Sequence, residues 1–533
     1  MTSGKPPGHK FFVCAVLVAA ILQFLGSPGE VQARIRLTVV NLGYVSRLAR
    51  QRAARPFVSP ERRLPSFLRA GALSRHEYSQ IQFRHSRALW AADRLPFRLE
   101  FFHPGCLYQE PEQIFEFTPG YTQRIGFNSN FFDYGRLRLP GRIPTDTGYA
   151  GFRILCRLNS PDKFDELGTF LGKSFFRLLG RGQSYGPSAR GLALDCGEGG
   201  RPEEFPLFTD WWIQKPRPGD ARLHLFALLD SVSCTGAYEF YIMPGDTTIA
   251  DINAVIYLRE PEQIQRAMPG RKPLLTLGLA PLSTTFLYGE NSERYFDDYR
   301  PEVHDSDGLL LRLATGETVW RPLDNARITR HQTFAADNIR GFGLMQRDRN
   351  FKHYEDASDP FQRSPSVWVE PHGDWGAGDI HLVELSVQRE SFDNVVAFWS
   401  PKTFPKPLEP LRVSYTQFWT RGLDAKISPD HVIATRIGAD LRNPGRREFV
   451  IDFAGPKLAA LPPNAAPTVV ANSSANGAIV DREVFRVPHG GFWRVILKMQ
   501  PKTGNQTPVA LDCRLLNGHQ TLTETWSYLW SPR

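Results

Sequence analysis

The chain has 533 residues and a formal net charge of +9, from 64 Lys and Arg against 55 Asp and Glu. That length exceeds one ordinary hydrophobic core, so two or more domains are expected. Over so many residues the basic excess is mild.

At the N-terminus, Lys5 and Lys10 precede an unbroken apolar run over residues 11–25, and Val31-Gln32-Ala33 supplies small residues at cleavage-site spacing. This is the pattern of a secretory signal peptide occupying residues 1–33. The run is shorter than the roughly 20 apolar residues of a membrane helix, and Gly26, Ser27 and Pro28 follow it rather than a stop-transfer cluster. Cys14 lies at the start of the apolar run, the wrong place for a lipoprotein site, and no twin-arginine pair precedes it. With no second apolar run of membrane length, the remainder is expected to be soluble after export.

Arginines crowd residues 34–75: Arg34, Arg36, Arg47, Arg50, Arg52, Arg55, Arg62, Arg63, Arg69 and Arg75. An exported chain meets no nucleic acid, so the reading is a solvated helical face, with peripheral contact to anionic lipid as a further use. Helical periodicity is confined to residues 42–78. Beyond it the pattern has period two: Leu223, Leu225, Ala227 and Leu229 share a face, as do Ile252, Ala254, Ile256 and Leu258, and later Trp493, Val495, Leu497 and Met499.

With 44 Gly and 42 Pro breaking these segments and no regular strand–helix alternation, the fold class is all-β, built as antiparallel sandwiches. Residues 401–410 contain four prolines that cannot join a central strand, so they are expected to link a domain at 34–400 to an immunoglobulin-like sandwich at 411–533. Cys106, Cys156, Cys196, Cys234 and Cys513 follow the leader without a C-x-x-C spacing. Buried thiols and a Cys196–Cys234 pair both stay open.

Aromatic residues make up 12% of the chain. Sugar rings present apolar faces edged by hydroxyls, so a glycan site wants aromatic platforms beside planar hydrogen-bonding groups, but sandwich cores also use aromatics. The motifs lie between residues 185 and 399. Tyr185-Gly-Pro-Ser-Ala-Arg-Gly presents Tyr185, Ser188 and Arg190 on a glycine-hinged loop. Glu203-Glu-Phe-Pro-Leu-Phe-Thr-Asp-Trp-Trp sets two acids before an aromatic strand. Tyr299-Arg-Pro-Glu-Val-His-Asp-Ser-Asp-Gly gathers Tyr299, Glu302, His304, Asp305 and Asp307. Trp320-Arg321-Pro, Tyr354-Glu355-Asp, Trp368-Val-Glu-Pro-His-Gly-Asp-Trp375-Gly and Glu390-Ser-Phe-Asp393-Asn-Val-Val follow.

The order and wording of these motifs resemble the periplasmic glucans biosynthesis family of the MdoG/OpgG and OpgD type. Gln80-Ile-Gln-Phe, Leu99-Glu-Phe-Phe-His, Gly148-Tyr-Ala-Gly-Phe-Arg, Thr235-Gly-Ala-Tyr and Thr523-Glu-Thr-Trp-Ser-Tyr support the match, which runs from about Leu42 through Tyr528. The resemblance implies a large N-terminal galactose-mutarotase-like β-sandwich with a long cleft and a C-terminal immunoglobulin-like sandwich. It further implies a β-glucan ligand with a β-1,2-linked glucose backbone; an assembly protein would couple release of that glucan to a membrane glucan synthase. Some members resemble inverting endo-β-1,2-glucanases, whose acid and base match Asp393 and Asp305. Tyr185, Arg190, Tyr299, His304, Trp320, Arg321, Glu355, Trp375 and Glu390 are then the expected sugar-binding residues. Binding or assembly without cleavage, and transglycosylation, are the alternatives.

The chemistry of the residues agrees with that match. Inverting hydrolysis needs one carboxyl to protonate the leaving oxygen and a second to activate water, roughly 6.5–9.5 Å away. Two acids on separate strand-end loops can meet this, and an acid beside Phe392 can have its pKa raised by desolvation. Equally, Asp305 and Asp307 can cap a turn, and Asp393-Asn394 can simply begin a strand. The Glu302, Asp305 and Asp307 spacing lacks the oxygen-ligand repeat of a calcium loop, and no His/Cys cluster supports zinc, so no metal or cofactor is expected. Against the family pattern, Asp307 replaces a usual Asn, Arg389-Glu-Ser-Phe replaces a more acidic loop, and Phe361 and Ser364 stand where Tyr and Arg are general.

Overall fold

The computed structural model describes residues 39–532 except 294, 295, 391, 463, 503, 505 and 506, and omits the side chains of residues 424 and 425. The expected signal peptide at 1–33, with Cys14, Arg34 and Arg36, lies outside the described residues.

Strands dominate, as the period-two pattern predicts. A ten-stranded sheet runs in the order Phe97–Phe102, Gly151–Ser160, Lys163–Leu171, Phe175–Leu178, Ser188–Arg190, Leu277–Thr284, Val395–Pro401, Gly378–Glu384 and Arg330–Ala335, with Leu192–Leu194 also pairing with Leu277–Thr284. A fifteen-stranded sheet has at its centre Gly308–Arg312, Gly341–Met345, Ser366–Pro371, Leu411–Thr420, Thr248–Leu258, Cys234–Met243, Leu223–Asp230 and Leu207–Gln214. Phe152, Phe170, Phe176, Trp211, Phe240 and Trp419 fill the core they share. Fully burying side chains of this kind stabilises by about 1.5–3 kcal/mol each.

The register explains why some strands are apolar on both faces. In Leu223–Asp230, Leu223, Leu225, Ala227 and Leu229 face that core, while Phe226 and Leu228 join Val45, Ala49 and Ala53 of the helix Leu42–Ala53. Asn41 caps the helix by accepting from the N–H of Tyr44 at 2.8 Å. Prolines 56, 60 and 65 confine the rest of the expected helical stretch to short turns and the helix Arg75–Ser79. Arg47, Arg50, Arg55, Arg62, Arg63, Arg69 and Arg75 are exposed, as a solvated face requires, but Arg52 turns inward to Thr209, Asp210 and Asp230.

The C-terminal part packs a four-stranded sheet, His431–Ala439, Arg447–Ala454, Trp493–Pro501 and Gly477–Arg486, over Thr468–Ser473, Val509–Asn517 and Thr525–Trp530. These last three strands extend the fifteen-stranded sheet, because Thr525–Trp530 runs parallel to Thr318–Pro322. Trp493, Val495, Leu497 and Met499 share the C-terminal core.

One expectation is corrected by the pairing. Leu411–Thr420 is not the first strand of a separate sandwich: it lies between Thr248–Leu258 and Ser366–Pro371 in the large sheet. Residues 401–410 therefore carry the chain from one sheet of the N-terminal sandwich to the other. Pro401 closes the strand Val395–Pro401 opposite Gly378, and the prolines after it do not dictate which sheet the next strand joins. Cys106, Cys156, Cys196, Cys234 and Cys513 are all free thiols, so Cys196 and Cys234 are not paired.

Candidate functional site

The site grows from one strand end. Leu277–Thr284 lies between Ser188–Arg190 and Val395–Pro401, with Ser283 opposite both Ser188 and Val396. Beyond it Phe286–Tyr288 pairs with Val303–His304. Thr285 sits at the junction. Its carbonyl accepts from the N–H of Asp305 at 2.9 Å, and its hydroxyl lies 3.5 Å from Oδ1 of Asp393. Asn394, fully buried, explains the Asp-Asn pairing of residues. Its amide receives the N–H of Phe286 at 2.8 Å and donates to the carbonyls of Phe286 and Leu385 at 3.0 and 3.2 Å. That lock leaves Asp393 projecting from the strand end toward Asp305.

Both acids are half-buried. Burial, and then the charge of Asp393, push the Asp305 carboxyl up to about 7. Ser364, whose hydroxyl lies 3.3 Å from Oδ1, and His304 oppose the rise, while Glu390 adds to it. Asp393 accepts from Ser188 at 2.7 Å through Oδ2. Phe392, expected to shield Asp393, is 73% exposed and gives it no apolar cover. The Glu390 carboxylate is held at 2.8 Å by Arg300, which also grips Asp298 and, at 3.0 Å, Asp356. The hydrogen bond from Arg300 keeps the Asp298 carboxyl at about 2.

The other expected sugar contacts divide. Tyr185 is exposed, with the Arg177 guanidinium 3.7 Å from its ring centre and its hydroxyl on Glu166, and its carbonyl accepts from the same Ser364 hydroxyl that reaches Asp305. Tyr299 and Glu355 are exposed on neighbouring loops. Arg190 is buried and committed to Ser283 at 2.9 Å and Glu203 at 2.6 Å, so it braces the strand behind Ser188. His304 is buried against Glu302 at 2.8 Å and Gln346 at 3.2 Å. Burial works to lower its pKa, but Glu302 and Asp307 raise it to about 9.

Three of the expected sugar contacts are engaged within the fold. Trp320 is buried in the C-terminal core beneath Arg347, 3.6 Å from its ring centre. Arg321, with no exposed surface, is paired with Glu384 at 2.9 Å. Trp375 packs on Trp399 and Tyr415, at the opposite end of Val395–Pro401 from Asp393. Trp320 and Arg321 are spent on the interior, while Trp375 is half-buried against it.

Thr285 and Arg300 carry no sequence signal of their role, since Thr285 closes an ordinary Ser-Thr-Thr strand end and Arg300 stands in the shadow of Tyr299. Asp307 accepts from the N–H groups of Arg347 and Asp348 and so anchors the loop that carries Arg347 to Glu524, at 2.7 and 3.1 Å. A cavity of about 50 Å³ between Glu302, His304, Asp307 and the strand His431–Ala439 is too small for a sugar ring.

Among the described residues two groups offer metal-ligating atoms within 4.8 Å of one another: Glu198, His331 and His381, and Glu302, Asp348 and His353. The expectation that histidines do not cluster overlooked the first, because His331 and His381 come from different strands. Burial lowers the pKa of both rings, that of His381 to about 4 with His331 contributing. No helix among the described residues is long and apolar enough to cross a membrane.

The comparisons agree with the resemblance of the motifs. The family described as periplasmic glucan biosynthesis protein, MdoG, matches residues 41–530. A curated relative, glucans biosynthesis protein G of Ralstonia nicotianae, is 42% identical over 501 residues, spanning 92% of this chain and 96% of that protein. With this match over nearly its whole length, the chain belongs to the MdoG family of periplasmic glucan biosynthesis proteins, and its role is in the making of periplasmic glucan.

Proposed function

We propose that this chain, exported to the periplasm after cleavage near Ala33, binds a β-1,2-linked glucan and cleaves it by inverting hydrolysis. The observation that carries the reading is the meeting of Asp305 and Asp393 at Thr285, two carboxyls from distant segments close enough for one to raise the other's pKa. Asp393 protonates the departing glucosyl oxygen as the glycosidic bond breaks. Asp305 takes a proton from the attacking water, directly or through a sugar hydroxyl. A carboxylate raised toward neutrality is a stronger base than an ordinary aspartate and stays substantially ionised at pH 7. Tyr185 offers an aromatic platform, with Tyr299, Glu355 and Glu390 at the rim; Arg190 and His304 hold the frame. Delivery from a membrane glucan synthase, with the exposed arginines of residues 47–75 resting on anionic lipid, fits the same role.

The test is incubation of the purified protein with linear β-1,2-glucan, beside β-1,3- and β-1,6-linked controls, with products followed by chromatography and the new anomer by NMR. Asp305→Asn and Asp393→Asn should each lower turnover by roughly 10²- to 10⁴-fold while glucan still binds. Wild-type-like cleavage by Asp393→Asn would remove the acid assignment.

A second reading, a non-cleaving assembly protein, draws on the engagement of Glu390 by Arg300, which neutralises the acidic loop beside the site. It predicts that wild-type protein binds the glucan, that no product forms, and that Asp393→Asn is harmless in cells.

A further inference from the structure

On the outer face of the ten-stranded sheet, away from the shared core, three polar side chains converge that the glucan reading does not use. His381 lies directly across from Phe398 in the sheet and stacks on it, with ring centres 4.9 Å apart at 11°. His331, on the edge strand Arg330–Ala335, is one diagonal step away, and its Nε2 is 2.8 Å from Nδ1 of His381. Glu198 comes from a loop, with Oε1 4.0 Å from Nδ1 of His331.

That loop is built to sit there. Gly197 has φ +73 and presses so close to the sheet that a Cβ would fall 2.6 Å from Val383. Asp195, with φ +53, is fully buried and accepts from the N–H of Leu275 at 2.7 Å and from Arg271 at 3.0 Å. Backbone bonds from Glu198 to Asp195 and from Arg201 to Glu198 close the turn. The carboxylate is thus delivered to two imidazoles that are themselves fixed by the sheet.

We propose that Glu198, His331 and His381 form a binding site for a divalent transition metal, zinc above all. Each residue supplies one ligand atom, and those atoms already lie within 4.8 Å of one another. Zinc bound by nitrogen at about 2.0–2.1 Å in tetrahedral geometry separates two nitrogens by about 3.4 Å, so the His331–His381 pair need open only slightly. Two imidazoles and one carboxylate suit zinc, cobalt or nickel and disfavour magnesium and calcium, which take oxygen ligands. Three protein ligands leave a fourth position for water. Bound there, the metal ties the edge strand and the Asp195–Glu198 turn to Gly378–Glu384, on the same face of the sheet as Ser188 and Arg190.

The test uses the purified full chain, stripped with chelator and titrated with Zn(II), with Mg(II) and Ca(II) as controls. Zinc should bind at one equivalent by elemental analysis after gel filtration and raise the melting temperature. Co(II) should give the visible d–d bands of a tetrahedral site. His331→Ala and His381→Ala should each weaken zinc by at least the ~10–100-fold that even outer-shell changes cost. His353→Ala, in the other ligand group, should change nothing. If His381→Ala does not fold, judged by circular dichroism in chelator, Glu198→Gln and His331→Gln carry the comparison. Failure of the wild type to retain zinc, affinity unaltered in both histidine variants, or loss confined to His353→Ala would overturn the assignment.

Discussion

The Ser188 hydroxyl donates to Oδ2 of Asp393 at 2.7 Å across a separation of 205 residues. A typical intramolecular hydrogen bond is worth about 0.5–1.5 kcal/mol. If that energy aims the carboxyl, Ser188→Ala should lower glucan turnover by roughly two- to ten-fold with little change in KM. Steady-state kinetics on linear β-1,2-glucan check this, and an effect confined to KM would make Ser188 a sugar contact instead.

The elevated Asp305 makes stability depend on pH. Its ordinary value is 3.8 and its folded value about 7, raised by burial and then by Asp393. The folded carboxyl holds its proton more tightly than the unfolded one, so stability is lost as pH rises from about 4 to about 7. Asp305→Asn, which has no charge to bury, should therefore gain melting temperature relative to wild type at pH 8 and lose that advantage by pH 4. Calorimetry across this range decides it.

The same carboxyl reports on its neighbours. Asp393 raises Asp305 and Ser364 lowers it, so the ¹³Cγ titration of Asp305 should move down in Asp393→Asn and up in Ser364→Ala. Movement in the same direction in both variants would contradict the arrangement.

Arg321 and Glu384 form an ion pair with essentially no exposed surface. Replacing Arg321 with Met leaves a buried carboxylate without its partner, a loss of about 3–5 kcal/mol. Denaturant unfolding should show that loss, the double variant Arg321→Met with Glu384→Gln should recover part of it, and glucan affinity of the folded protein should stay within about two-fold. A large loss of affinity at unchanged stability would return Arg321 to the sugar site.

Truncation separates the two views of residues 401–410. A chain ending at Pro410 lacks the strand Leu411–Thr420, which pairs on both sides in the large sheet. It should be insoluble or lack a cooperative transition, whereas a freely linked C-terminal domain would leave 34–410 folded.

Local pattern was enough for the strands whose faces differ in kind: Leu223, Leu225, Ala227 and Leu229 alternate visibly, and all four sit in the shared core. It was not enough for Arg321. Its partner lies 63 residues away and no local spacing links them, so a buried guanidinium and a sugar-gripping one read alike. Trp320 fails for the same reason, since its flat face meets Arg347 in the interior rather than a pyranose. Asp305 and Asp393 were singled out by resemblance to a family. Their convergence depends on Thr285, a residue with no chemistry of its own to attract notice.

The parallel pairing of Thr318–Pro322 with Thr525–Trp530 has a consequence for the folding chain. Glu317 and Thr525, whose side chains meet at this seam, are 208 residues apart. The seam closes only when the second segment has reached the first, and until then one rim of the large sheet offers its backbone groups to any passing strand. The incompletely folded polypeptide, rather than the finished protein, is the vulnerable species.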